Sequence, residues 1–162
     1  MNFFISILLV FFFGACSHKN AFYEFSMDKR QEQSATSLKR IKIVKDTKVI
    51  GTFNALYLNN VYPEKYNKEE YFIVYIYLKE IKNISNPNTI NRDNLKILLN
   101  NNEPIKLEEL DNENRFFKLT GSKNKWNKYY LVSFDAVGES LSLKLESDQS
   151  FSVVLKYQKD QL

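Results

Sequence analysis

Tyr71-Phe72-Ile73-Val74-Tyr75-Ile76-Tyr77-Leu78-Lys79-Glu80-Ile81 is the stretch on which the fold of this chain turns. Phe72, Val74, Ile76 and Leu78 fall on one face of a strand, and Tyr71, Ile73, Tyr75 and Tyr77 fall on the other. A strand that is apolar or aromatic on both faces needs cover on both, so it belongs in the middle of a sheet.

The segments on either side continue the pattern. Arg40-Ile41-Lys42-Ile43 alternates polar with apolar, and Asp46-Thr47-Lys48 turns it into a second strand, Val49 to Leu58. Pro63 and the charged run Glu64 to Glu70 break the chain before the central strand. After the loop at Asn86-Pro87 come a strand at Leu95 to Leu99 and the turn Asn100-Asn101-Asn102. Pro104 to Leu110 fits either a strand or a single helical turn. Tyr129 to Phe134, Leu141 to Leu145 and Phe151 to Tyr157 are further strands, the last two joined by a turn at Ser147 to Ser150. Seven or eight short strands without long helices predict an all-β, antiparallel sandwich or barrel over residues 38–162, with the sandwich favoured.

The strand–Asn83-Ile84-Ser85-Asn86-Pro87–strand stretch, Tyr71 to Leu99, resembles the immunoglobulin-like domains of small bacterial lipoproteins. The resemblance implies an immunoglobulin-like β-sandwich and brings no functional residues with it. The cysteine pair of true immunoglobulin domains is absent, and Trp126 comes too late in the chain for the usual core tryptophan. Asn83-Ile84-Ser85 fits the minimal glycosylation pattern. The bacterial version also wants an acid two residues earlier, where Ile81 stands, so glycosylation is not expected.

Upstream the character changes. Phe3 to Phe13 is almost unbroken Phe, Ile, Leu and Val, and with Gly14 and Ala15 it makes an apolar stretch of about 13 residues. That is well short of the roughly 20 residues a helix needs to cross a bilayer. A short apolar core followed by small residues is the pattern of a secretory signal peptide. Here Cys16, the only cysteine of the chain, follows directly.

Phe13-Gly14-Ala15-Cys16 resembles the lipobox of bacterial lipoproteins, with Phe13 in place of the usual Leu. The resemblance implies cleavage between Ala15 and Cys16 and a diacylglycerol on the Cys16 thiol. Ser17 rather than Asp at the next position implies sorting to the outer membrane of a Gram-negative cell. One acyl chain holds a protein only marginally to a bilayer, at about 0.8 kcal/mol per buried methylene, whereas two or three anchor it stably. Two plainer readings stand beside this one. Cys16 is a chance cysteine after an ordinary signal, or it lies in a buried N-terminal helix of a cytosolic chain.

The organisation expected is a lipoprotein signal peptide at 1–15, a lipidated N-terminus and polar tether at 16–37, and the sandwich at 38–162. A short helix is expected within the tether, around Met27 to Ser34. The net charge of +4 is placed unevenly: residues 17–50 carry eight basic and four acidic residues, and the remainder balances. A basic stretch beside a lipid anchor is drawn to anionic headgroups by about 1 kcal/mol per Lys or Arg close to the surface. A solvated polar tether accounts for the same charges.

Catalytic constellations are hard to assemble. His18 is the sole histidine and stands in the tether, so neither a catalytic triad nor a histidine zinc site fits in the domain. No serine sits in a Gly-x-Ser-x-Gly turn, and Gly51, Gly121 and Gly138 are isolated. Glu103, Glu108, Glu109, Asp111 and Glu113 cluster, yet they lack the glycine and ordered spacing of a calcium loop and read as a solvated acidic loop. No enzyme activity, metal or cofactor is expected.

One stretch invites a ligand. Lys123, Lys125, Trp126, Lys128 and Tyr129 interleave cations with aromatic rings, a combination that stacks on sugars or bases or binds an anionic glycolipid. The plainer alternative is a loop entering a strand, with Trp126 or Tyr130 inside and the lysines solvated. The function expected is a non-enzymatic envelope module held to the membrane by its lipid anchor, with a protein or glycan partner and no nucleic acid. A surface adhesin and an accessory lipoprotein of a secretion or transport assembly are the alternatives.

Overall fold

A computed structural model describes residues 28–79, 95–111, 114–121, 124–147 and 151–159. The first elements in chain order are α1 (Lys29–Ser37), β1 (Leu38–Lys45), β2 (Lys48–Tyr57), α2 (Leu58–Val61), β3 (Glu70–Leu78), β4 (Leu95–Leu99) and β5 (Lys106–Leu110). They are followed by α3 (Phe117–Thr120), β6 (Lys128–Phe134), β7 (Ser140–Ser147) and β8 (Phe151–Gln158). The ambiguous stretch before Leu110 is thus a strand.

Among the described residues two antiparallel sheets form, one in the order β1-β2-β3-β6-β5 and the other β4-β7-β8. With β2 taken as strand A, β2-β3-β6-β5 against β4-β7-β8 is A-B-E-D against C-F-G. That is the arrangement of an immunoglobulin constant-type sandwich. β1 is one strand more, added at the edge beside β2.

The central strand is covered on both faces, and the two covers differ. Phe72, Val74 and Ile76 of β3 pack with Phe53, Val132 and Phe134 against Ile97, Leu143, Leu145 and Leu155 of the second sheet. Each such side chain contributes roughly 1.5–3 kcal/mol by leaving water. On the opposite face Ile73 and Leu56 lie under a smaller cluster made by Leu58, Val61, Tyr66 and Phe116. Helices α2 and α3 and their flanks supply that cover. Tyr157 ties the two sheets by donating its hydroxyl to the Ala55 carbonyl at 2.6 Å.

The short helix expected around Met27 to Ser34 is α1, and residues 28–37, counted with the tether on sequence grounds, belong to the folded body. Asp28 caps α1 by accepting from the Gln31 amide at 2.8 Å, while the Gln31 side chain accepts from the Asp28 amide at 3.0 Å. This reciprocal pair satisfies two of the donors that a helix start leaves open. Ser34 and Ser37 are buried, and Arg30 lies over the Tyr62 ring at 5.2 Å from its centroid. The tether therefore does not reach residue 37 as expected, since residues 28–37 are folded. The expected leader, Ala15, Cys16, the first part of the tether, the Asn83 sequon, the Asn86-Pro87 loop and residues 148–150 of the last turn lie outside the described residues.

Gly51 shows how tightly the sheet is built next to its first hairpin. A β-carbon there would stand 2.1 Å from the Tyr77 carbonyl oxygen, so only glycine lets β2 and β3 approach. One residue away Ile50 is unopposed, because Ile43 pairs with Gly51 and Val44 with Val49. This bulge re-aims the hairpin tip.

Candidate functional site

The strand registers place the loop before β6 and the β1–β2 hairpin tip at the same end of the five-stranded sheet. Lys128 pairs with Ile76, Leu78 pairs with Gly51, and the hairpin closes beyond at Lys45 and Lys48. β2 and β6 are separated by β3 alone, which puts them about 10 Å apart.

The structure divides the expected ligand patch. Trp126 is 77% exposed, and Lys125 beside it is exposed as well. Lys128 is half-buried at the start of β6, and Lys123 lies outside the described residues. Tyr129 is a correction: it is 1% exposed and cannot offer its ring to a ligand. In β6 it falls on the same sheet face as Tyr75, and the two rings stack at 5.5 Å with planes 25° apart.

Tyr129 instead helps to build the loop. Its hydroxyl accepts from Asn127 Nδ2 at 3.3 Å and from the Asn124 amide at 3.4 Å. Asn124 Oδ1 in turn accepts from the Trp126 amide at 3.0 Å. A buried tyrosine thus fixes the turn that holds Trp126 outward, while Tyr130 packs inside as the loop-into-strand alternative allows.

A polar layer lies beside this stack. Arg40 Nε donates to Asn54 Oδ1 at 2.5 Å, and Asn54 Nδ2 donates to the Tyr75 carbonyl at 3.1 Å. The Tyr75 hydroxyl is buried without a hydrogen-bond partner among the described residues. Burial pushes its pKa up, and the nearby Arg40 opposes the rise.

The hairpin tip is the less expected part of this end. Val44 and Val49 pair across the strands, yet they are 46% and 43% exposed. Lys45 pairs with Lys48, and Lys42 lies two residues before Val44 on the edge strand. Lys42, Lys45 and Lys48 make no ion pair among the described residues. Asp46 and Thr47 both have positive φ, 47° and 67°, as a two-residue type I′ turn requires.

A second polar cluster lies at the opposite end. Glu70, read from sequence as part of a chain break, opens β3 and is 2% exposed. Its carboxylate accepts from the Tyr57 hydroxyl at 2.5 Å, from the Val137 amide at 3.2 Å and from Lys159 Nζ at 2.5 Å. Burial, with the Glu70 bond adding to it, pushes the Tyr57 pKa well above the usual tyrosine value. The cluster is saturated internally and has the marks of a fastening.

The acidic loop is dispersed. Glu103, Glu108, Glu109 and Asp111 are exposed, Glu108 is paired with Lys106 at 3.0 Å, and Glu113 lies outside the described residues. Among the described residues, no group of three or more His, Cys, Asp or Glu is placed to hold a metal ion. No helix among them is long and apolar enough to cross a membrane. Comparison with known proteins gave no match to a family model, a curated protein or a solved structure.

Proposed function

We propose that this chain is a bacterial lipoprotein: a non-enzymatic sandwich module held at the outer membrane through Cys16 and presenting one end to a protein or glycan partner. The observation that carries the reading is Phe13-Gly14-Ala15-Cys16 at the close of a short apolar stretch. The folded body already includes Asp28, and this supports the reading because the chain between Cys16 and Asp28 is short enough to keep the domain near a bilayer. Cleavage would fall between Ala15 and Cys16.

The test is a point mutant in a Gram-negative host fed an alkyne analogue of palmitate. The wild-type chain should take up the label and sediment with membranes. The Cys16→Ala variant should lose both properties. If it stays just as membrane-bound, lipidation is not the anchor.

The outward Trp126 with Lys125 favours a second reading within the same class, a surface adhesin. Protease applied to intact cells tests its premise. A domain left untouched there cannot meet an external ligand, and partner capture by crosslinking from membranes then addresses an accessory role in an envelope assembly.

A further inference from the structure

We infer that the β1–β2 hairpin tip is a docking element for an anionic phospholipid surface, a second contact that lays the domain against the bilayer instead of leaving it suspended. The inference rests on the Cys16 anchor for its membrane and on the hairpin alone for its chemistry.

Lys42, Lys45 and Lys48 are unpaired among the described residues, and Asp46 is the only acid in the hairpin from Leu38 to Tyr57. Like charges directly opposite one another, as at Lys45 and Lys48, weaken a strand pair. The fold gains nothing from that choice, whereas an anionic surface would. Edge-strand lysines commonly guard against unwanted pairing, which accounts for those on β1. It does not account for Lys48 on β2, nor for two valines held in water between the lysines.

From the turn inward the order is Asp46-Thr47, then the Lys45–Lys48 pair, then the exposed Val44–Val49 pair, so the tip offers cations to phosphates at the headgroup level with apolar side chains directly behind them. The bulge at Ile50 and the turn at Asp46-Thr47 shape the apex that carries them.

The geometry permits both attachments at once. The chain from Cys16 to Asp28 can span at most about 40 Å, and the hairpin runs about 25 Å from Leu38 to Lys45. Of the basic residues near the anchor, Lys39 and Arg40 are already engaged, Lys39 by the Lys156 carbonyl and Arg40 by Asn54. Arg30 lies over the Tyr62 ring, and of the described basic residues near the anchor left without a partner, Lys29 stands on α1 while Lys42, Lys45 and Lys48 are gathered at the hairpin tip.

The test uses the full lipidated chain carrying Val49→Cys, labelled with an environment-sensitive fluorophore and reconstituted in vesicles. Phosphatidylcholine vesicles are compared with vesicles that also contain phosphatidylglycerol. The expected result is a blue-shifted emission only with phosphatidylglycerol, reversed by salt. It should be lost when Lys42→Glu, Lys45→Glu and Lys48→Glu are combined, and each lysine neutralised singly should weaken docking about fivefold. Unchanged thermal melting of the triple variant shows that the fold is kept. Identical emission in both lipids, or a shift that survives the triple reversal, overturns the inference. Retention on phosphatidylcholine vesicles reads the Cys16 anchor alone, so failure of the anchor and failure of the hairpin are seen separately.

Discussion

Glu70 and the Asp46-Thr47 turn stand at opposite ends of the same five-stranded sheet and treat charge in opposite ways. At the Glu70 end one buried carboxylate meets a hydroxyl, an amide and an ammonium, which fastens β3, the loop after β6 and the end of β8 together. At the hairpin end three lysines are unpaired among the described residues, two of them face each other, and two valines remain in water. Charge that is satisfied inside a protein holds its parts. Charge and apolar surface left unsatisfied at one place are what a partner can use.

The largest expected effect tests the fastened end. Glu70→Ala removes the acceptor from a buried Tyr57 hydroxyl and the partner of a Lys159 whose side chain is 32% exposed. Breaking a fully buried ion pair costs about 3–5 kcal/mol, and partial exposure of Lys159 reduces that to about 2–3 kcal/mol. A urea titration should show this as a lower midpoint at an unchanged slope. A loss below about 0.5 kcal/mol, the range of ordinary surface substitutions, would break the contrast between the ends.

The same contrast marks how far the sequence could be read. The strands were legible because alternation is a local property, and β4 falls where its five apolar-rich residues predict it. The cover of the central strand was legible too, since both of its faces are apolar. Glu70 was not, because it closes a charged run and its partners Tyr57, Val137 and Lys159 come together only through the fold. Helices α2 and α3 are four residues each, start without a side-chain cap, and owe their existence to packing on the sheet. Tyr129 looked like a ligand ring because nothing local reveals that Tyr75 covers it. In α1, Asp28-x-x-Gln31 was a readable start signal that the polar composition around it obscured.

A smaller effect sharpens the hairpin end. Thr47 has a positive φ, where a β-branched side chain crowds the backbone. Thr47→Gly should relieve that crowding and stabilise the fold by about 1 kcal/mol, offset in part by the greater freedom glycine has when unfolded. A raised urea midpoint is the expected outcome. A lowered midpoint would mean that the threonine hydroxyl, which donates to the Asp46 carbonyl at 2.5 Å, outweighs the crowding.

The smallest expected effect on stability is the most informative about use. Trp126→Ala removes a ring that is 77% exposed and should shift the stability read from urea titration by no more than about 0.5 kcal/mol. Large aromatic side chains turned to water by a loop that is itself hydrogen-bonded in place are typical anchors for partners. In membrane crosslinking the wild-type chain should capture a protein or glycan partner that the Trp126→Ala variant captures poorly at equal stability. Equal capture would detach Trp126 from recognition. A large loss of stability would instead make the ring part of the fold, and the two ends of the sheet would then differ in charge alone.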